Sequence, residues 1–205
     1  MPKIVDHDQR RIEIVEAVWR IIARGGFAAA TMREIAAEAG FANGGLKHYF
    51  AGKDELLAAA FQHTFFRINE RAAHAIGNTT GADAVRLLCL EMLPLDAERA
   101  VECRVAVAFW DRAASSKQLM KIYADSTTIW RVWMEGEFAR SRLLRQIGGD
   151  IPDHQLVDEL LALIAGLKVV PLLDAAATIA DRQLQVIEEF FERLRVSGAR
   201  LPENA

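Results

Sequence analysis

The segment from Thr31 to Lys53, TMREIAAEAGFANGGLKHYFAGK, constrains the fold more than any other part of the sequence. Glu34 follows Thr31 by three residues, which is the capping-box pattern and predicts that a helix begins here. Gly40 is suited to the left-handed conformation that ends a helix. Phe41 then returns a large apolar side chain to the core beneath the turn. The segment therefore begins with one short helix and a glycine turn.

A second short helix is predicted directly after this turn. Leu46 and Phe50 lie four residues apart, which is the spacing of neighbours on one face of a helix. Two short helices joined by a turn that contains glycine form a helix-turn-helix. The outward side of the second helix holds residues that contribute nothing to a core, namely Asn43, Gly44, Lys47 and His48.

These outward residues have the chemistry of a DNA-contacting surface. Asn and Lys side chains read base edges in a major groove, His48 and Tyr49 can donate to phosphates, and Gly44 and Gly45 allow a close backbone approach. Lys53 falls in the first turn of the next predicted helix, where the helix dipole disfavours a cation unless a phosphate binds there. The alternative is that these are ordinary solvated side chains on a helical hairpin.

The segment resembles the N-terminal DNA-binding domain of TetR-family transcriptional regulators. The resemblance rests on the run Thr31-x-x-x-Ile35-Ala36-x-x-Ala39-Gly40-Phe41-x-x-Gly44-x-Leu46-x-x-Tyr49-Phe50-x-x-Lys53, followed by Asp54-Glu55-Leu56-Leu57. Two residues depart from the family pattern, and the family's phosphate contacts do not carry over directly there. Ala42 stands where the family usually has Ser, and Lys47 stands where many members have Tyr. The resemblance implies a DNA-binding domain over residues 1–53, with candidate DNA contacts at Thr31, Arg33, Ala42, Asn43, Gly44, Gly45, Lys47, His48, Tyr49 and Lys53.

Composition and charge agree with this organisation. Charged residues make up 26% of the chain and hydrophobic residues 52%, as in a soluble globular protein. The net charge is −3, but residues 1–53 hold eight Lys and Arg against six acids, so the basic excess lies at one end. Cys89 and Cys103 lack metal-ligand spacing and indicate a reducing compartment. With no signal pattern and no segment long enough to span a bilayer, a cytoplasmic protein is expected.

The rest of the chain predicts helices throughout, because no alternating strand pattern of useful length occurs. The expected fold is all-α with about nine helices: a three-helix head and a C-terminal domain over residues 54–205 for effector binding and dimerisation. Including the two short helices above, the predicted helices are 8–24, 31–39, one after Ala42, 53–76, 83–93, 97–114, 117–147, 153–176 and 180–196. The helix from Lys53 is expected to connect head and body.

The helix over residues 153–176 is apolar on nearly every side and must therefore be buried on nearly every side. The simplest arrangement is a two-fold dimer in which this helix and the last one form a four-helix interface with their partners. TetR-family regulators dimerise in this way, so the resemblance agrees. The alternative is the core of a larger monomeric bundle. The predicted interface residues are Leu160, Leu163, Ile164, Leu167, Val170, Ile187 and Phe191.

An aromatic cluster in the middle of the body is the candidate effector site. Its members are Phe109, Trp110, Tyr123, Trp130 and Trp133. Aromatic faces attract cations, so the cluster could enclose a quaternary ammonium compound. The body is similar to the BetI-like branch of the family, which includes regulators of choline and betaine metabolism. The alternative is that an aromatic stripe at helical spacing is simply core, and the ligand is left open.

An enzyme is the main alternative from another functional class. A helical di-metal site needs Glu-x-x-His pairs, and none occurs; neither does a Gly-x-Ser-x-Gly elbow or a glycine-rich phosphate loop. We therefore expect no catalytic residues, cofactor or metal. A helical interaction protein that never meets DNA is a third interpretation. The favoured one is a homodimeric repressor that binds a pseudo-palindromic operator and is released by a small molecule.

Overall fold

The computed structural model describes residues 6–42, 44–174 and 180–195. Within these ranges it contains eight α-helices, one 3-10 helix and no strand beyond a single isolated bridge. The all-α prediction with about nine helices is confirmed. The elements are α1 (His7–Ala29), α2 (Met32–Glu38), η1 (Gly45–His48), α3 (Lys53–Ile76), α4 (Ala82–Met92), α5 (Ala97–Ala113), α6 (Lys117–Leu143), α7 (Asp153–Leu173) and α8 (Ala180–Leu194).

Three helix ends differ from the prediction, and one of them is that of α7, which ends at Leu173 instead of residue 176. The first helix does not finish at Arg24 but continues to Ala29 across a kink at Gly26, whose φ of 70° and ψ of 178° are open to glycine. Helix α6 ends at Leu143 instead of residue 147, because Arg145 takes a left-handed φ of 56° and Gln146 N–H donates to the Ser141 carbonyl. This reversal of the chain is followed by Ile147, which is buried.

The chain forms two compact units, each described separately. The first contains the residues up to Arg67 together with Ala97–Ser126, and the second contains Ile68–Asp96 with the residues from Thr127 onward. The boundary proposed after Lys53 falls inside the first unit. Helix α3 contributes residues to both units.

The first unit has a core that combines the head with α5. Leu46 and Phe50 are both buried, as their spacing predicted. They pack with α1, α2 and the start of α3, and Val105 of α5 belongs to the same cluster. The core side chains of α1, α2 and α3 include Ile14, Val18, Ile22, Ile35 and Leu56. A head of about fifty residues is marginal alone, and α5 supplies further apolar surface to it.

In the second unit, side chains of α6 cap the beginning of α4. Gly81 N–H donates to Glu137 Oε2 at 2.5 Å, and Ala82 N–H donates to Ser141 Oγ at 2.6 Å. These bonds satisfy two of the N–H groups that a helix start leaves without intrahelical partners. The α4 start therefore depends on α6 for its hydrogen bonds.

The two cysteines behave as small apolar residues. Cys89 and Cys103 are both buried as thiols. Burial raises the pKa of the Cys89 thiol far above its usual range, so this sulfur stays protonated. Among the described helices, none combines the length and apolarity needed to cross a membrane.

The capped start of α4 leads to a stability prediction for Gly81→Ala. A Cβ at Gly81 would lie 2.4 Å from Ser141 Oγ, and the backbone there has φ 73° and ψ −154°, a region nearly restricted to glycine. We expect Gly81→Ala to lower the free energy of unfolding by about 2–3 kcal/mol. Urea denaturation followed by circular dichroism measures this change.

The control is Gly136→Ala. Gly136 lies in α6 with open space around its Cβ position and no positive φ. Alanine there should leave stability unchanged or raise it by about 0.5–1 kcal/mol, because alanine is the better helix former. Equal stability of the two variants would contradict the proposed clash.

Candidate nucleic-acid interface and effector pocket

The first helix of the helix-turn-helix begins with the predicted capping box. Glu34 N–H donates to Thr31 Oγ1 at 3.2 Å, and Thr31 N–H donates to Glu34 Oε2 at 3.2 Å. The Thr31 hydroxyl also donates to Glu34 Oε2 at 2.7 Å. This side-chain bond, followed by the backbone bond, holds the pKa of Glu34 below its ordinary value. The predicted start of α2 is confirmed.

The turn ends α2 as predicted. Gly40 has a φ of 73°, and Phe41 N–H donates to the Ala36 carbonyl at 2.8 Å. The second helix of the motif is a single 3-10 turn, Gly45–His48, which we call the recognition segment. It follows Gly44 in a left-handed conformation and has no side-chain cap. Position 42 holds Ala42, so the serine hydroxyl that the family usually has there is absent.

Most of the candidate DNA contacts lie at the surface. Half-buried positions are Gly45, Tyr49 and Lys53. Asn43 lies outside the described residues. The exposed members of the set are Thr31, Arg33, Ala42, Gly44, Lys47 and His48. The outward orientation predicted for Gly44, Lys47 and His48 is confirmed.

Tyr49 and Lys53 make contacts within the protein. The Tyr49 ring packs edge-on against Phe41, with ring centroids 5.5 Å apart. Lys53 is the first residue of α3, where its Nζ donates to the Phe27 carbonyl at 3.1 Å and lies 4.1 Å from the Phe27 ring centroid. The sequence places this ammonium at a phosphate, and that contact stays a prediction; the structure adds an internal acceptor that spacing could not reveal.

The cations of the head fall into two groups. Arg20 and Arg24 both pair with Glu38, at 2.7 Å and 2.5 Å. These bonds, with that from Arg24 the stronger, lower the pKa of Glu38. The second group has no ion pair or hydrogen bond with any residue in the described ranges, and it consists of Arg33 and Lys47. This second group therefore remains available to an external anion.

The predicted aromatic cluster is divided between different environments. Phe109 is fully buried and stacks on Phe61, with ring centroids 4.0 Å apart, so it serves the core. Trp110 and Tyr123 line a small apolar pocket of about 250 Å³ in the first unit. Trp130 and Trp133 line a separate pocket of about 360 Å³ in the second unit.

The pocket beside Trp130 and Trp133 is the better candidate for a ligand. It is bordered by α3, α4 and α6, and its volume lies within the usual range for small-molecule sites. Trp130 Nε1 donates to Asn69 Oδ1 at 3.0 Å, which fixes the orientation of the indole. Sequence analysis missed Asn69. The sequence signal that could have identified Asn69 is an amide beside the apolar stripe of α3. Its hydrogen-bond partner, Trp130, lies on another helix.

The predicted interface residues of α7 and α8 separate by burial. Leu160, Ile164, Ile187 and Phe191 are buried within their own chain, so these four belong to its core and not to a surface that a partner covers. Leu163 and Leu167 are half-buried, and Val170 is 45% exposed. A single chain therefore does not bury both sides of α7. Lys168, on the same helix, is also buried.

Comparison with known proteins identifies the family. Residues 14–60 match the model for bacterial regulatory proteins of the tetR family, and residues 81–196 match the model for the C-terminal part of BetI-type transcriptional repressors. The chain belongs to the TetR family. It is 33% identical over 202 residues to the HTH-type transcriptional regulator PksA of Bacillus subtilis, covering 98% of this chain and 97% of that protein. Both resemblances read from the sequence, to the TetR family and to its BetI-like branch, are confirmed.

Further relatives support the same assignment. The regulator BetI of Brucella suis is 28% identical over 209 residues and is covered completely, as is this chain. A transcriptional regulator from Saccharomonospora viridis in complex with choline has the same fold, with a TM-score of 0.82, 23% identity, and coverage of 93% of this chain and 100% of that one. A TetR regulator from Haloarcula marismortui gives a TM-score of 0.80 at 18% identity, over 92% and 100% of the chains. The TetR-family chain is thus a DNA-binding transcriptional regulator and not an enzyme.

The capping box allows a pH-dependent prediction for Thr31→Ala. Removing the hydroxyl removes the main cause of the lowered Glu34 pKa, so this pKa should rise towards its ordinary value of 4.5. The stability that the wild-type bond contributes is present above the unfolded-state pKa and is lost as the pH falls through the lower folded-state pKa. Thr31→Ala should therefore be less stable than wild type at pH 7, with the difference shrinking as the pH falls below about 4.

Thermal unfolding from pH 3 to pH 7 and an NMR titration of the Glu34 carboxyl measure these two effects. Thr31→Ser keeps a hydroxyl at the same position and serves as the control, with near wild-type values expected. An unchanged Glu34 pKa in Thr31→Ala would show that the box does not operate in solution.

Proposed function

We propose that this TetR-family chain is a repressor that binds a pseudo-palindromic operator as a homodimer in the cytoplasm and is released by a small-molecule effector. The observation that supports DNA contact through the recognition segment is the second group of head cations. Arg33 of α2 and Lys47 of the recognition segment are exposed, and neither forms an ion pair or hydrogen bond with a described residue. Unpaired cations beside a short exposed segment suit phosphates and base edges.

The geometry supports the following proposed roles within the interface. Lys47 lies inside the recognition segment, where a long cationic side chain can reach the guanine edge or a phosphate. Gly44 and Gly45 present backbone without side chains to the DNA. Thr31, Arg33, Tyr49 and Lys53 are proposed to contact phosphates. For Lys53 this means that its remaining N–H donors, beyond the one held by Phe27, face the DNA.

The homodimer is proposed to form through α7 and α8. On α7, Leu163, Leu167 and Val170 remain partly accessible, and Gly166 between them is exposed with open space at its Cβ position. On α8, Val186 is 36% exposed beside the buried Ile187. Packing against a second copy would cover this apolar surface, as the four-helix arrangement requires. Two recognition segments would then reach successive major grooves about 34–36 Å apart.

Selection from a pool of random duplex DNA tests this function. The expected result is a recovered sequence with two inverted half-sites, because a two-fold dimer reads a two-fold site. With the recovered duplex, Lys47→Ala should weaken binding, lower the salt slope by about one unit and change the preference at one or two base pairs. Fluorescence anisotropy across a range of KCl concentrations measures both quantities.

The matched control is Lys121→Ala, which removes one positive charge from α6, where Lys121 pairs with Asp125 at 2.7 Å. It should leave the salt slope and the base preference unchanged. A wild-type protein that binds no duplex at low salt would reject the function, and an asymmetric recovered site would reject the dimer.

The effector is proposed to bind in the pocket beside Trp130 and Trp133. Its position between α3, α4 and α6, its volume and the oriented indole support this assignment. The BetI-type match and the fold shared with a choline-bound regulator suggest a quaternary ammonium compound, to which indole faces are attractive. Helix α3 begins at Lys53 in the head and carries Asn69 at the pocket, so a ligand could shift the population of head orientations through this helix.

A tryptophan-fluorescence titration with choline, betaine and a set of apolar compounds tests the effector site. We expect a saturable change with a quaternary ammonium compound, lost in Trp133→Leu because one face of the pocket is removed. Trp110→Leu, which alters the other aromatic pocket, should keep the response. No response to cations would reject the quaternary ammonium assignment, and loss of the response in Trp110→Leu alone would place the ligand in that other pocket.

A further inference from the structure

The recognition segment is too short to fix its own orientation. Gly45–His48 is a single 3-10 turn without a side-chain cap, and hydrogen bonds in such turns have poorer geometry than those of an α-helix. Leu46 and Phe50 bury its inner side. Apolar contacts are not directional, so burial alone leaves the rotation of the outward face weakly determined. A directional contact is needed at the end of the segment.

Arg11 supplies that contact from α1. Its guanidinium donates to the backbone carbonyl oxygen of Tyr49, the residue that follows the recognition segment. The guanidinium carbon lies 4.2 Å from the centroid of the Phe50 ring. A hydrogen bond to a carbonyl and a cation over a ring face together define both position and angle.

The same guanidinium also connects with the beginning of α3. Arg11 Nη2 lies 3.5 Å from Glu55 Oε1. The other carboxylate oxygen of Glu55 accepts a hydrogen bond from Ala51 N–H at 2.7 Å. One side chain of α1 therefore contacts Tyr49 and Phe50, which follow the recognition segment, and an acid in the first turn of α3.

We infer that Arg11 is a positioning residue for DNA recognition, which sets the orientation of Lys47 and His48 without contacting DNA itself. This inference rests on the proposed function of the recognition segment. Its support is the direction of the donors, which point to Tyr49 O and Glu55, and the compensation of its charge by Glu55. Arg33 and Lys47 differ, because no residue in the described ranges pairs with them.

The arrangement requires the shape of arginine as well as its charge. A planar guanidinium can donate to two acceptors while its face lies over a ring, whereas a lysine ammonium is a point charge on a flexible stem. Arg11→Lys keeps the net charge of the head but cannot reproduce all three contacts. This variant therefore separates geometry from electrostatics.

The test compares Arg11→Lys and Arg11→Met with wild type on two duplexes: the one that wild type recovers from the random pool, and a scrambled duplex of equal length. Both variants should bind the recovered duplex about tenfold more weakly, as expected for loss of hydrogen bonds to a charged group. Binding to the scrambled duplex and the salt slope should stay at the wild-type values. The ratio of the affinity for the recovered duplex to the affinity for the scrambled duplex thus falls in both variants.

Arg10→Met is the matched control. Arg10 is the neighbouring residue on α1, is exposed and pairs with Glu13 at 2.6 Å. The Arg10→Met substitution removes the same charge as Arg11→Met from almost the same place. The ratio of its affinities for the two duplexes should therefore remain that of wild type. Melting temperatures and stoichiometric titrations correct every affinity for the folded, active fraction.

Two outcomes would overturn the positioning role. If Arg11→Met lowers the salt slope as Lys47→Ala does while Arg11→Lys binds normally, Arg11 contacts a phosphate directly. If the variants melt earlier but their folded fraction keeps the wild-type affinity ratio, Arg11 only stabilises the head. Failure of the proposed function is distinct, because wild type itself would then bind neither duplex.

Discussion

Burial of Leu46 and Phe50 in the head core is the constraint on which the proposed DNA-reading surface depends. A four-residue 3-10 turn has almost no stability of its own, so its conformation is imposed by the core beneath it. That core combines α1, α2 and α3 with Val105 of α5. A helix from outside the three-helix head therefore takes part in holding the residues that we propose to face DNA, and the head is not an independent module in energetic terms.

The charges of the head serve two different purposes. Cations that pair with acids, such as Arg24 with Glu38, connect α1 and α2 through exposed ion pairs that add little stability, and they contribute little to the external field. Cations without such partners in the described ranges, such as Lys47, carry the field that attracts a polyanion. This division explains how a chain with a net charge of −3 can present a DNA-binding surface. The position and pairing of each cation matter more than the total.

In the body, a few polar groups organise an otherwise apolar bundle. Asn69 orients the Trp130 indole at the edge of the pocket, and side chains of α6 complete the hydrogen bonds at the start of α4. Buried polar groups of this kind are costly unless paired, so each fixes one arrangement of the helices around it. On helix α7, Val170 is 45% exposed, and a second copy is the proposed cover.

The sequence alone determined the features that arise within a few residues of chain: the capping box at Thr31, the left-handed Gly40 and the helical periodicity of the body. Their physics is local, so spacing is sufficient to predict them. Only the tertiary structure decided partners across the chain. It brought the Phe27 carbonyl to the Lys53 ammonium and stacked Phe109 on the ring of Phe61. Such choices depend on which helices meet, and residue type and spacing do not contain that information.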